Sequence, residues 1–227
     1  MRVFLCICAI IVAFTPSVGV CKEKSEPYFK LRSMKSIQME GVQKQTRDYS
    51  CGAAAFNILL KNYFDENSYS EAALLTDIIF RLKEDEFKER LVDGFSMLDL
   101  KLLAQRLGYI GHGVMLPKES IAKLKGPVII LLHKRDNFKH FVVLKGAFET
   151  TAFIVDPLAG NYSIQLHDLF QQWNGEAFIL EQPGFGLPQE HGLLFPKGNA
   201  ASPQDPAVRA LQNTKFSRKV MHSSFAR

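Results

Sequence analysis

One apolar helix pattern that opens with a cysteine constrains the fold of this chain more than any other feature. Large apolar side chains recur at helical spacing after the cysteine, at Phe56, Leu59, Leu60 and Phe64. The residues just before Cys51 are polar and turn-forming, so we predict a helix that begins at Cys51 and ends near Tyr63. Its apolar face must be buried, and the rest of the chain has to cover it.

The position of Cys51 at this helix start also has a chemical interpretation. Unpaired N–H groups and the macrodipole favour negative charge there, and the thiolate is the nucleophilic form of cysteine. Gly52 and the alanines after it leave room for a substrate, and Gln45 could direct a side-chain amide at an oxyanion formed at this point. The alternative is a buried structural cysteine, because unpaired cysteines are among the most buried residues.

The first twenty residues have the features of a secretory signal peptide. Arg2 is followed by an apolar run and then by a helix break with small residues, Thr15-Pro16-Ser17-Val18-Gly19, which suits cleavage near Gly19. The run is short for a bilayer span, although an uncleaved anchor is the alternative. We therefore expect an exported, periplasmic bacterial protein whose membrane contact is limited to this segment.

The cysteines give no sign of a disulfide framework or of a metal. Cys6 and Cys8 lie in the signal segment, so the mature chain would keep Cys51 and at most Cys21. No Cys-x-x-Cys motif or Cys/His cluster indicates zinc, and we predict neither a metal nor a cofactor. In an oxidising compartment, a lone thiol is either buried and inert or kept for its chemistry.

The positive charge of the chain lies mainly at its C-terminus. Residues 198–227 carry five basic residues against Asp205 alone: Arg209, Lys215, Arg218, Lys219 and Arg227. From Pro183 onward the apolar periodicity is lost, and we predict a flexible basic tail at 185–227. A basic tail, unlike a basic folded surface, does not indicate nucleic-acid binding, and none is expected.

Between these ends, we predict a leader segment at 21–36 and one α+β domain at 37–184. A weakly alternating stretch at 36–42 is predicted to be a short strand leading to Gln45. Helical periodicity then covers 69–82 and 97–107 in addition to the helix after Cys51.

After Gly126-Pro127 the pattern changes to β-rich segments separated by Gly and Pro. The main ones are residues 128–132, 138–145, 152–155 and 175–182, with 161–166 as an edge strand. Without helix-length spacers between them, such segments are typical of an antiparallel sheet. We therefore expect a helical half that carries Cys51 and an antiparallel sheet packed around one cleft.

A cysteine nucleophile needs a base, and the base needs a group that orients it. Among the histidines, His140 is distinguished by apolar strand neighbours, which put its ring near a sheet surface that faces the helices. Asp156 ends the next strand and lies within reach of His140 if the register allows. The alternatives are a structural histidine and a turn-forming Asp before proline. The order Gln45, Cys51, His140, Asp156 across the two halves favours a catalytic set.

The motifs around these four residues resemble those of the peptidase C39 family, papain-like cysteine peptidases that process double-glycine leader peptides of bacteriocins. The shared motifs are Gln45 six positions before Cys51-Gly-Ala-Ala, His140-Phe-Val-Val-Leu and Asp156-Pro157, within residues 37–182. The resemblance implies a papain-like fold, Cys51 as nucleophile and His140 as general base and acid. It also implies that Asp156 orients His140 and that Gln45 is an oxyanion donor.

The resemblance implies a cysteine peptidase that hydrolyses a peptide bond in an exported or cell-envelope polypeptide, with Gly-Gly as the preferred type of site. The expected partners are a peptide or protein substrate and a secretion or assembly component of the cell envelope. The sequence contains no Gly-x-x-x-x-Gly-Lys-Ser/Thr loop of the kind found in transporter-linked members. The alternatives are a non-catalytic C39-like adaptor module, and an acyltransferase or transglutaminase with the same Cys-His-Asp order.

Overall fold

The structure is a computed structural model that describes residues 32–134 and 138–195 of the 227. The predicted signal peptide at 1–20, Cys21, and the predicted tail from residue 196 onward, with His222, lie outside the described residues. Within the described ranges, no helix has the length and apolar character needed to cross a bilayer.

The helices lie mainly in the first part of the chain and the strands in the second. The helices are α1 (Met34–Gln38), α2 (Cys51–Asn62), α3 (Glu71–Ile79), α4 (Glu84–Asp93), α5 (Met97–Arg106), a 3₁₀ helix (Lys118–Lys123) and α6 (Leu166–Leu169). The strands are β1 (Ile110–Met115), β2 (Val128–His133), β3 (Lys139–Phe148), β4 (Thr151–Asp156), β5 (Gly160–Gln165) and β6 (Glu176–Glu181). The predicted α+β class is confirmed.

The strands form one antiparallel sheet in the order β1-β6-β2-β3-β4-β5. Successive hairpins build the run from β2 to β5, and β5 is the edge strand that the sequence predicted at 161–166. The last strand, β6, returns to lie between β1 and β2. The strand that follows the helices and the final strand are therefore neighbours at one end of the sheet.

Helix α2 is the central buried element, as its apolar pattern predicted. Every residue from Cys51 to Leu60 is buried, and α2 contacts β3, α3 and α5. Alternate residues of the strands face this helix, while the others pack in a second cluster around Trp173. The sheet is thus covered on both faces, and α2 holds Cys51 against β3.

The prediction of a strand at 36–42 was wrong, because the segment contains α1. The Ser33 hydroxyl oxygen accepts a hydrogen bond from the Ser36 N–H at 3.1 Å. This bond caps the N-terminus of α1 and so favours a helix over a strand here. The segment after α1 is still fixed to the sheet edge. The Asn161 side-chain amide on β5 donates to the carbonyl oxygens of Gln38 and Glu40, both at 3.0 Å.

Residues 185–195, which the sequence assigned to the tail, pack against the end of α2. Leu193 is buried, and the ring of Phe185 lies 5.0 Å from that of Phe64 between centroids. The Gly192 N–H donates to the Asn62 carbonyl oxygen at 2.7 Å. The packed part of the chain therefore extends to these residues. The predicted boundaries of the signal peptide and of the leader segment stay predictions.

The contact between α1 and β5 leads to a stability prediction. Gly160 has φ +89°, and a Cβ at this position would lie 2.6 Å from the Gln38 carbonyl oxygen. We expect Gly160→Ala to lower the free energy of unfolding by about 2–4 kcal/mol, because the backbone strain of a left-handed residue adds to a steric clash. Urea unfolding measures the change.

Gly108 offers the matched control. It has φ +81°, but a Cβ there would meet no described atom within 4 Å. Gly108→Ala is expected to cost about 1–2 kcal/mol from backbone strain alone. Equal losses for the two variants would contradict the close packing of α1 on β5.

Candidate active site

Cys51 is the first residue of α2 and is a free, buried thiol. The preceding Ser50 does not cap the helix. Its hydroxyl instead accepts from the Arg47 N–H at 3.1 Å and donates to the Arg47 carbonyl oxygen at 2.9 Å. No side chain in the described part of the chain caps α2. The first amide groups of this helix are therefore left without a side-chain partner beside the sulfur, where they favour negative charge.

His140 and Asp156 form a buried hydrogen-bonded pair. Their exposed fractions are 0% and 1%, and His140 Nε2 lies 2.7 Å from Asp156 Oδ1. His140 is the second residue of β3 and Asp156 the last of β4, and the register of these two strands brings the side chains together. The sequence left open whether the strand register allows His140 and Asp156 to meet, and the structure shows that it does.

The turn after Asp156 fixes the carboxylate. Oδ1 accepts from the N–H groups of Leu158 at 2.7 Å and Ala159 at 3.2 Å. Oδ2 faces Lys134 Nζ at 3.6 Å. A carboxylate held by several donors has little freedom to rotate, so it can hold the imidazole of His140 in one orientation.

The electrostatics of the site favour a protonated imidazole. Burial by itself would lower the pKa of His140, but the hydrogen bond to Asp156, the nearby Cys51 and the charges of both raise it to about 9. Burial would raise the pKa of Asp156, but the hydrogen bond and charge of His140 lower it. Nδ1 of His140 has no hydrogen-bond partner among the described residues. This leaves that ring atom for the thiol of Cys51.

Gln45 lies beside the same turn. Its backbone N–H donates to the Pro157 carbonyl oxygen at 3.2 Å, one residue after Asp156. Its side-chain Nε2 donates to the Arg47 carbonyl oxygen at 3.1 Å. An amide nitrogen carries two hydrogens, so one remains to donate elsewhere. The structure therefore brings His140, Asp156 and the backbone of Gln45 together at one turn, with Cys51 close to His140.

The other described histidines have separate contacts. His133 pairs with Glu176 at 3.0 Å, His167 bonds Gln171 at 3.0 Å, and His191 packs on Tyr63 with ring centroids 4.8 Å apart. His112 is exposed on β1. These positions agree with the choice of His140 from its apolar neighbours.

Two further residues border the pair and were not predicted from the sequence. Lys134 faces Asp156, and the Phe138 ring stacks on the His140 ring with centroids 6.0 Å apart while staying 44% exposed. Phe138 precedes His140 by two positions, and side chains with this spacing lie on the same face of a strand. The contact between the two rings could therefore have been predicted from the sequence. Lys134 had no such signal, because its contact depends on the β2–β3 hairpin.

Comparison with known proteins agrees with the family that the sequence motifs resemble. A model of the peptidase C39 family matches residues 39–183.

The chain belongs to the peptidase C39 family. The resemblance predicted from the motifs is confirmed.

Similar curated proteins include two named "Probable functional amyloid protease FapD". The Pseudomonas fluorescens protein is 29% identical over 167 residues, which is 74% of this chain and 71% of that protein. The Pseudomonas aeruginosa protein is 28% identical over 169 residues, 74% of this chain and 72% of that protein. A "Lactococcin transport/processing ATP-binding protein LcnC-like" from Lactococcus lactis is 26% identical over 145 residues, 63% of this chain but 18% of that protein.

A solved structure with the same fold is the peptidase domain of Streptococcus ComA, described as a bifunctional ABC transporter involved in quorum sensing. It has a TM-score of 0.51 at 19% identity and covers 61% of this chain and 96% of that domain. The match supports the fold alone. Together with the family assignment, it confirms the predicted papain-like architecture.

The shifted pKa values make the stability of the protein depend on pH. The folded pKa of His140 lies above its ordinary value of 6.5, so its contribution is complete below pH 6.5 and is lost as the pH rises through about 9. The folded pKa of Asp156 lies below its ordinary value of 3.8. Its contribution is therefore present above that value and is lost as the pH falls through the lowered pKa.

We expect NMR titration of the His140 imidazole to give a midpoint of about 9. In Asp156→Asn the midpoint should fall by about 1–3 pH units, because the charge that favours the imidazolium is removed. His191 serves as the internal reference, because burial and then the charge of Lys145 lower its pKa independently of Asp156. An unchanged His140 midpoint in Asp156→Asn would contradict this account of the pair.

Proposed function

We propose that this chain is a cysteine peptidase that hydrolyses a peptide bond in an exported or cell-envelope polypeptide. The observation that supports it most is the buried 2.7 Å hydrogen bond between His140 and Asp156, beside a cysteine at the start of α2. In this proposal Cys51 is the nucleophile, His140 the general base and acid, Asp156 the orienting group and Gln45 the oxyanion donor.

The first half of the reaction forms an acyl-enzyme. The Cys51 thiolate attacks the carbonyl carbon of the scissile bond, and a sulfur–carbon bond forms. The oxyanion accepts hydrogen bonds from Gln45 Nε2 and the Cys51 backbone N–H, worth roughly 3 kcal/mol per donor in such sites. Protonated His140 gives its proton to the leaving nitrogen, the carbon–nitrogen bond breaks, and the amine product departs.

The second half regenerates the site. Neutral His140 takes a proton from a water molecule, which attacks the acyl carbon. The sulfur–carbon bond breaks, and the carboxylic acid product leaves. The thiolate of Cys51 and the imidazolium of His140 are then restored, with Asp156 ionised throughout.

The proposed substrate class rests on the relatives and on the predicted signal peptide. Two similar proteins carry the name functional amyloid protease, which favours an exported polypeptide as the substrate. A periplasmic location and a partner in secretion or assembly agree with this proposal. Cleavage after small residues such as Gly-Gly is the expectation taken from the family.

A peptide-library experiment tests the proposed activity. The reduced protein is incubated with peptides that place Gly-Gly at varied positions, and the products are identified by mass spectrometry. We expect cleavage by the native chain and none by Cys51→Ala. Gln45→Ala should lower kcat by about 100- to 1000-fold, because one oxyanion donor is lost. His112→Gln is the matched histidine control, since His112 is exposed on β1, with β6 and β2 between it and β3, and it should keep the native rate.

The same experiment separates the rival functions. Capture of peptides without cleavage would indicate an adaptor module and would contradict the peptidase. When glycinamide is added, a product that carries this amine in place of a new carboxyl group would indicate an acyltransferase. Hydrolysis that glycinamide leaves unchanged supports the proposal.

Alkylation of Cys51 tests the ion pair without a substrate. At pH 6, we expect iodoacetamide to modify Cys51 about tenfold or more faster in the native chain than in His140→Ala, because the imidazolium stabilises the thiolate. Mass spectrometry of the Cys51 peptide separates it from the other three of the 4 cysteines. Equal rates in both proteins would show that the pair is not assembled.

A further inference from the structure

Glu71 is a buried acidic residue at the start of α3 that faces the loop before Cys51. It is 2% exposed. Its Oε1 accepts the Thr46 N–H at 3.3 Å, and the Thr46 hydroxyl lies 2.9 Å from Oε2 and 3.2 Å from Oε1. No basic side chain pairs with Glu71 among residues 32–134 and 138–195. A buried carboxylate is costly unless it is hydrogen-bonded, so the bonds from Thr46 are the contacts that compensate for its burial.

The position of Glu71 is not explained by capping of its own helix. An acidic residue in the first turn often serves the helix dipole from an exposed position. Here Ser70 already caps α3, because its hydroxyl oxygen accepts from the Ala73 N–H at 3.1 Å. The Glu71 side chain instead points away from solvent, toward Thr46.

Thr46 directly follows Gln45, so Glu71 holds the loop next to the proposed oxyanion donor. On the other side, the Gln45 N–H is bound to the Pro157 carbonyl oxygen at 3.2 Å. The backbone of Gln45 therefore lies between two anchors, one on the sheet and one on α3. Fixing both flanks of a residue limits where its side chain can reach, and misplacement of a catalytic group by about 1 Å can cost 100-fold in rate.

We propose that Glu71 is a positioning residue, which acts through Thr46 to hold the Gln45 amide where the oxyanion forms. The inference rests on the proposed function, because it assigns Glu71 to the same reaction. Glu71 itself does not touch the substrate or the reacting atoms.

Four variants separate positioning from general damage. Glu71→Ala removes both contacts with Thr46, whereas Glu71→Gln keeps an oxygen for the Thr46 N–H and a donor for its hydroxyl. Thr46→Val removes the hydroxyl at an exposed position and keeps the Thr46 N–H that binds Glu71. Asp77→Ala is the matched control on the same helix, because it breaks the 2.6 Å ion pair with Arg106 without touching the loop.

The kinetic test compares peptide hydrolysis with alkylation. We expect Glu71→Ala to lower kcat by about 10- to 100-fold while KM and the alkylation rate of Cys51 stay near native. In a Gln45→Ala background, Glu71→Ala should cause no further loss, because its effect passes through Gln45. Thr46→Val should lower kcat less, and Glu71→Gln and Asp77→Ala should stay near native. Equal losses in hydrolysis and alkylation, or additive losses with Gln45→Ala, would overturn the proposal.

A second measurement needs no substrate. The side-chain amide signals of Gln45 are followed by NMR, with hydrogen exchange as the measure of its anchoring. We expect Glu71→Ala to shift these signals and speed their exchange, and Glu71→Gln and Asp77→Ala to leave them near native. Unchanged Gln45 signals in Glu71→Ala would refute the positioning role. If Glu71→Ala changes the Gln45 signals but the native chain cleaves no peptide, the result would count against the proposed function alone.

Discussion

The buried hydrogen bond between His140 and Asp156 is the interaction on which the rest of the site depends. Burial disfavours the charged form of each group. Their mutual contact offsets that cost, together with Cys51 for His140 and with the Leu158 N–H and Lys134 for Asp156. The contact in turn requires the register of β3 against β4 and the turn that aims two backbone N–H groups at the carboxylate. The sheet is therefore part of the chemistry as well as a support for α2.

Much of this arrangement could be predicted from the sequence because its signals are local. The apolar spacing after Cys51 fixed a buried helix, and Gly and Pro between β-rich segments indicated antiparallel hairpins. His140 could be chosen from its apolar strand neighbours, and Asp156 because it ends the next strand. Family motifs added the papain-like fold, which composition and periodicity alone do not distinguish from other α+β folds.

The parts that could not be predicted depend on contacts between distant residues. A weak alternation at 36–42 resembled a strand, but the Ser33 cap and the bonds from Asn161 favour α1 followed by a segment fixed to β5. Thr46 and Glu71 lie in separate elements, and neither carries a local signal of their contact. Phe185 and Leu193 lie in short apolar stretches interrupted by Gly and Pro, so their packing on α2 follows from the shape of the core and not from periodicity.

The division of the site between two halves has a consequence for when the protein can act. Cys51 belongs to a helix in the first part of the chain, whereas His140 and Asp156, the proposed base and orienting group, lie on strands in the second part. Contacts between residues so far apart in sequence form only as the whole domain closes. A nascent or partly folded copy of this chain has a thiol and an imidazole but not their arrangement, so under the proposed function folding itself is the switch that makes the molecule reactive.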